Sequence, residues 1–193
     1  MPAWARGVRG SVHEAEATTI RAAAAGDQAA FERLVREHQV PVWRFLCHFL
    51  GDPALADDIT QETFLRAYRN LAGFAHQSRF STWLFQIARN AGIDALRARD
   101  RSARLLEVVP ELAARPSPEG GAELSAGLEA LSPKLREALL VVEVLGYRYR
   151  EAAVILGVPE GTVKSRVHQA RERLVDWMAA DTGDTGDTGS QAR

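Results

Sequence analysis

A single cysteine, Cys47, stands among 193 residues. No intramolecular disulfide is possible, and no zinc site built on several thiolates can form. Its surroundings, Phe45, Leu46, Phe49 and Leu50, mark it as a small buried hydrophobe. Long apolar runs are also missing. No stretch approaches the roughly 18 to 20 residues that span a bilayer, and the opening MPAWARGVRG has no apolar segment behind its arginines. A cytoplasmic protein with no membrane insertion is expected. Charge of one sign is lacking too: 24 Lys and Arg oppose 25 Asp and Glu, for a net −1. Such a chain does not hold nucleic acid by bulk charge, so any DNA contact must rest on local positive patches or on a partner. No Walker, GxSxG or HExxH motif occurs, and the few His do not reach metal-ligand spacing. The expectation is a non-enzyme with no metal, no cofactor and no small-molecule substrate.

What is present is helical periodicity. No convincing strand-like alternation interrupts it, so the fold class is all-α: two small helical domains joined by a flexible linker. Residues 1–17 are short of apolar periodicity and read as a flexible extension. From 18 to 104, apolar residues recur at spacings of three and four: Phe31, Leu34 and Val35, then Val42, Phe45, Leu46, Phe49 and Leu50. The stretch from Asp57 to Leu71 carries Ile59, Phe64, Ala67 and Tyr68, and a third, with Ser81 as its expected N-cap, carries Trp83, Leu84, Ile87, Ala88 and Leu96. Pro110, Pro116, Pro118, Gly120 and Gly121 break the pattern, giving a linker over 105–121. Fully extended, it reaches at most roughly 55 to 60 Å. Periodicity resumes over 122–178. The tail, 179–193, repeats Asp-Thr-Gly three times and cannot build a core.

The second domain contains Ala153-x3-Gly157-x5-Val163, the spacing of a helix-turn-helix. Ala153 is small enough for close helix approach, and Gly157 stands where a left-handed turn residue is needed. Pro159 precedes the second helix. On that helix Val163, Val167, Ala170 and Leu174 form one apolar stripe. The other face carries Thr162, Lys164, Ser165, Arg166, His168, Gln169 and Arg171, donors suited to phosphates and major-groove base edges. A solvated amphipathic hairpin is the plainer reading of the same pattern.

The first domain divides its charge. Asp52, Asp57, Asp58 and Glu62 cluster without a Lys or Arg among them. Asp57 and Asp58 are expected in the first turn of their helix, where its dipole favours acids. Asp58, Gln61, Glu62 and Leu65 share one exposed face, suited to docking on a basic protein surface and repelling DNA. From Arg79 to Arg104, by contrast, six Arg oppose two Asp, for a net +4. Arg79, Phe80, Trp83, Gln86 and Asn90 combine cations, aromatics and amides, a mixture suited to clamping a single strand. Trp83 also reads as a core residue.

Three segments together resemble the bacterial extracytoplasmic-function (ECF, group IV) sigma factors of RNA polymerase: Asp57-Asp-Ile-Thr-Gln-Glu-Thr-Phe-Leu-Arg-Ala-Tyr68, Phe80-Ser-Thr-Trp-Leu-Phe-Gln-Ile-Ala-Arg-Asn90, and Gly161-Thr-Val-Lys-Ser-Arg-Val-His-Gln-Ala-Arg-Glu-Arg-Leu174. They occur in the family's order, with a linker where the family has one. The resemblance implies a factor that binds core RNA polymerase, directs it to promoter DNA and promotes duplex opening. It assigns Asp58, Gln61, Glu62 and Leu65 to the polymerase. It assigns Phe74, Arg79, Phe80, Trp83, Gln86, Asn90 and Arg97 to the minus-ten element. Thr162, Lys164, Ser165, Arg166, His168, Gln169 and Arg171 fall to the minus-thirty-five element. An anti-sigma protein is the expected restraining partner. Gln169 stands where many relatives have a second Arg. The alternative is a helix-turn-helix regulator of transcription that never binds polymerase; the acidic face after Asp57 argues against it.

Overall fold

The computed structural model describes residues 16–74, 78–105 and 122–183, and every regular element among them is helical. The first module holds α1 (16–24), α2 (Gln28–Leu50), α3 (Pro53–Asn70), a short 3-10 turn at Leu71–Gly73, and α4 (Phe80–Leu105). The second holds α5 (Ala122–Ala130), α6 (Pro133–Leu139), α7 (Tyr149–Leu156) and α8 (Glu160–Gly183). Residues 1–15 of the expected extension, 106–121 of the linker and 184–193 of the tail lie outside the described residues. Helix α4 includes Leu105, and α8 runs into the first Asp-Thr-Gly unit.

Local chemistry sets the helix ends. Asp27 caps α2 by accepting from the Ala30 N–H at 3.0 Å. Asp52 caps α3, accepting from Ala54 and Leu55, with Pro53 at the first helical position. Two sequence expectations are corrected here. Because α3 starts at Pro53, Asp57 and Asp58 lie in its second turn, beyond the strongest reach of the dipole. Asp57 instead accepts from the Trp43 indole N–H at 2.6 Å, tying α3 to α2. Ser81 lies inside the first turn of α4, because the Trp83 N–H already bonds to the Arg79 carbonyl.

Helices α2, α3 and α4 pack around Leu34, Val42, Phe45, Leu46, Phe49, Leu50, Phe64, Leu84 and Phe85. Cys47 is buried with them, and burial pushes its thiol pKa up to about 11. Gly92 of α4 backs onto Phe49; a Cβ there would meet the ring at 3.0 Å, so this position holds the two helices close. In the second module the stripe of Val163, Val167 and Ala170 is fully buried, against Leu135, Ala138, Ile155 and Leu156.

The modules are not held apart. Helix α4 packs on α7, and α2 meets α6 and the π turn that follows it at Leu140–Val144. Phe85 contacts Tyr147 edge-on at 5.6 Å. Arg136 of α6 donates to the Phe49 carbonyl at the end of α2. The buried apolar residues of both modules form one continuous cluster.

Candidate nucleic-acid interface

Helix α3 presents the acidic face. Asp58, Gln61 and Leu65 are exposed, with Leu65 at 51%. Glu62 is half-buried because Arg66, one turn on, donates to it at 2.7 Å and raises its own pKa by doing so. Beside this face, α2 and α3 leave a groove of about 770 Å³ lined by Phe31, Val35, Phe64, Leu65 and Tyr68, with Gln61 at its rim. The face is therefore acidic, with an apolar trough along one edge.

The aromatics assigned to the minus-ten element form a cluster at the start of α4. Phe74 lies 5.1 Å from Trp83 and 6.0 Å from Phe80, the latter pair edge to face. Phe74 and Phe80 are buried, while Trp83 is partly exposed. In this arrangement the two phenylalanines shape the surface from beneath, and Trp83 carries the open part of it. Gln86 is half-buried. Asn90 is exposed and accepts from Arg89 at 3.3 Å. Arg79 and Arg97 are exposed, near Glu151 at 3.6 Å and Asp94 at 3.9 Å. Residues 75–77 of the intervening loop lie outside the described residues.

Helix α8 follows a turn built as its sequence demands. Gly157 has φ +63 and ends α7, whose start is capped by the Glu151 carboxylate on the Arg148 N–H. Thr162, Lys164, Ser165, His168, Gln169 and Arg171 line the outer side of α8, Thr162 half-buried and the rest exposed. Their charges are answered within the chain. Lys164 reaches Glu160 at 2.8 Å, which raises its pKa, His168 reaches Glu172 at 3.4 Å, and Arg171 donates to Glu143.

Arg166 departs from its neighbours. Its side chain is 18% exposed and turned inward to Glu137 of α6, at 3.3 Å. Glu137, only 2% exposed, also accepts two hydrogen bonds from Arg89 of α4, at 2.9 and 3.1 Å. Neither Glu137 nor Arg89 was singled out by sequence. The available signal was a lone acid inside the run from Leu135 to Val142, otherwise apolar after Arg136. Among the described residues, no group of three or more His, Cys, Asp and Glu is placed to hold a metal ion.

A bundle bearing an acidic face and a basic, aromatic helix, coupled to a helix-turn-helix, defines a two-module DNA-binding transcription protein. Residues 34–102 match the family described as Sigma-70 region 2, and residues 122–174 match Sigma-70, region 4. The chain is 36% identical over 176 residues to the ECF RNA polymerase sigma factor SigE of Mycolicibacterium smegmatis, covering 83% of this chain and 67% of that protein. It is 36% identical over 176 residues to the ECF RNA polymerase sigma factor SigC of Mycobacterium tuberculosis, covering 84% and 90%. Among solved structures it is similar to CnrH in complex with the cytosolic domain of CnrY (TM-score 0.68, 32% identity, 85% of this chain and 97% of that one). It is also similar to the sigma factor RpoE of Bartonella quintana in complex with the anti-sigma factor NepR (TM-score 0.70, 28% identity, 78% and 98%). The chain belongs to the ECF sigma factors of bacterial RNA polymerase. The match of the first module sets aside a regulator that carries only a helix-turn-helix.

Proposed function

We propose that this chain binds core RNA polymerase, brings it to specific promoters and promotes opening of the duplex, acting in the cytoplasm and catalysing no reaction of its own. The observation that carries this reading is the separation of charge between α3 and the basic helices of the same chain. Asp58, Gln61, Glu62 and Leu65 offer polymerase an acidic, partly apolar face that DNA phosphates would avoid. Trp83, Gln86, Asn90, Arg79 and Arg97, shaped from beneath by Phe74 and Phe80, receive the minus-ten element. Opening DNA costs about 1 to 2 kcal/mol per base-pair step, which capture of an extruded base offsets in part. The outer side of α8 reads the minus-thirty-five element in the major groove. Two weak DNA modules on one chain gain by effective concentration. The solved RpoE structure named above holds the anti-sigma factor NepR, and a partner of that kind is the expected restraint here.

The test is co-elution of the purified chain with bacterial core RNA polymerase, followed by run-off transcription on genomic fragments. Binding and fragment-specific transcripts are expected. A variant with Asp58, Gln61 and Glu62 all replaced by Ala is expected to fold and to lose co-elution. Retention of full binding by that variant would move the polymerase contact off α3.

A further inference from the structure

Arg89 and Arg166 belong to the two elements that the proposed function assigns to different parts of a promoter. Here they donate to the same oxygen, Oε1 of Glu137, from 3.1 and 3.3 Å. The minus-ten and minus-thirty-five elements lie about 25 base pairs apart, roughly 85 Å at ~3.4 Å per pair. Two helices that share one carboxylate oxygen cannot sit on both elements at once. The contact is also built rather than incidental. Glu137 is buried, Arg89 grips it with two parallel bonds, and Arg79–Glu151, Phe85–Tyr147 and Arg136–Phe49 bridge the same junction. A carboxylate held by two guanidiniums occupies the place a phosphate would take.

We propose that Glu137 is an internal stand-in for a DNA phosphate, a latch that ties α4 to α8 and keeps the chain closed until polymerase separates the modules. The inference rests on the function proposed above. The latch is unbalanced by design: one carboxylate faces two guanidiniums, so the buried group keeps an excess positive charge. Such a closure is poised to release: separating the modules parts Arg89 from Glu137 and frees it for a phosphate, while Arg166, in the same module as Glu137, keeps the carboxylate.

Intramolecular energy transfer in the full chain tests this. Ala72→Cys and Val175→Cys place dyes at exposed positions in the two modules, and buried Cys47 stays unlabelled. The chain free of polymerase is expected to show high transfer, which falls when core polymerase is added. Glu137→Gln, which keeps the size and loses the charge, is expected to bring the free chain at least halfway to that lower value. It is also expected to raise the affinity of the free chain for promoter duplex several-fold. Wild-type transfer in a folded Glu137→Gln chain, or low transfer in the free wild-type chain, would overturn the latch. If polymerase fails to bind either chain, the proposed function fails, while the comparison between the two free chains still judges the latch. Should Glu137→Gln unfold by circular dichroism, Glu137→Asp, too short to reach both arginines, replaces it with the same expected outcomes.

Discussion

Arg136 gathers four main-chain carbonyls: Leu128, Glu129 and Leu131 at the end of α5, and Phe49 at the end of α2. Those are the acceptors that helix ends leave unmatched. Arg136→Ala is expected to cost about 2 to 3 kcal/mol in urea unfolding, and Arg136→Lys most of that, because an ammonium cannot fork among four oxygens. Equal stability of the Lys variant and wild type would mean the fork is dispensable. His38 shows the opposite economy. It packs 5.3 Å from Phe80, and its Nε2 has no hydrogen-bond partner among the described residues. Burial lowers its pKa below the usual 6.5, against the opposing pull of Glu37 and Glu16, and burial lowers His48 as well. A neutral imidazole is thus favoured in the fold, while the unfolded chain takes up its proton first. Stability is expected to fall as pH drops through 6.5 and toward the lower folded-state pKa. His38→Gln should flatten part of that decline in urea midpoints between about pH 7 and about pH 5. A slope identical to wild type would assign the acid sensitivity elsewhere.

At the scale of elements, the turn between α7 and α8 sets the direction of α8. Gly157 holds φ +63, and a Cβ there would meet nothing within 4 Å. Gly157→Ala therefore carries a backbone penalty without a clash, about 1 to 2 kcal/mol by equilibrium unfolding. A neutral substitution would show that the turn can re-form otherwise. Much of this level was legible in the sequence, since the Gly157 turn and the Val163, Val167 and Ala170 stripe are fixed by local rules of handedness and period. Helix starts were less legible. The apolar pattern of α3 begins at Ile59, yet Asp52 and Pro53 start the helix two turns earlier through capping, which period does not register. The exposed face of Asp58, Gln61 and Leu65 could be read from spacing alone. The fate of Arg166 could not, because periodicity places a residue on a face but does not say that Glu137, 29 positions away, waits there.

At the scale of the whole molecule, the junction joins two modules into one apolar cluster, so damage to one is expected to reach the other. Ile155, fully buried in α7, offers the test. Ile155→Ala should cost about 2 to 5 kcal/mol. If the modules are coupled, hydrogen exchange should quicken in α4 as well as in α7 and α8. Unchanged protection in α4 would mean that each module opens by itself. The pattern around Glu137 lies beyond sequence reading at this scale too, since it arises only when α4, α6 and α8 converge. It also has a consequence for dosage. A chain that engages its partner only when open shows an affinity reduced by the fraction that is open. An open fraction of about one in a hundred weakens capture about a hundredfold, or ~2.7 kcal/mol. One buried carboxylate thereby sets a threshold concentration of free polymerase below which the chain stays silent, and a single charge-removing substitution lowers it.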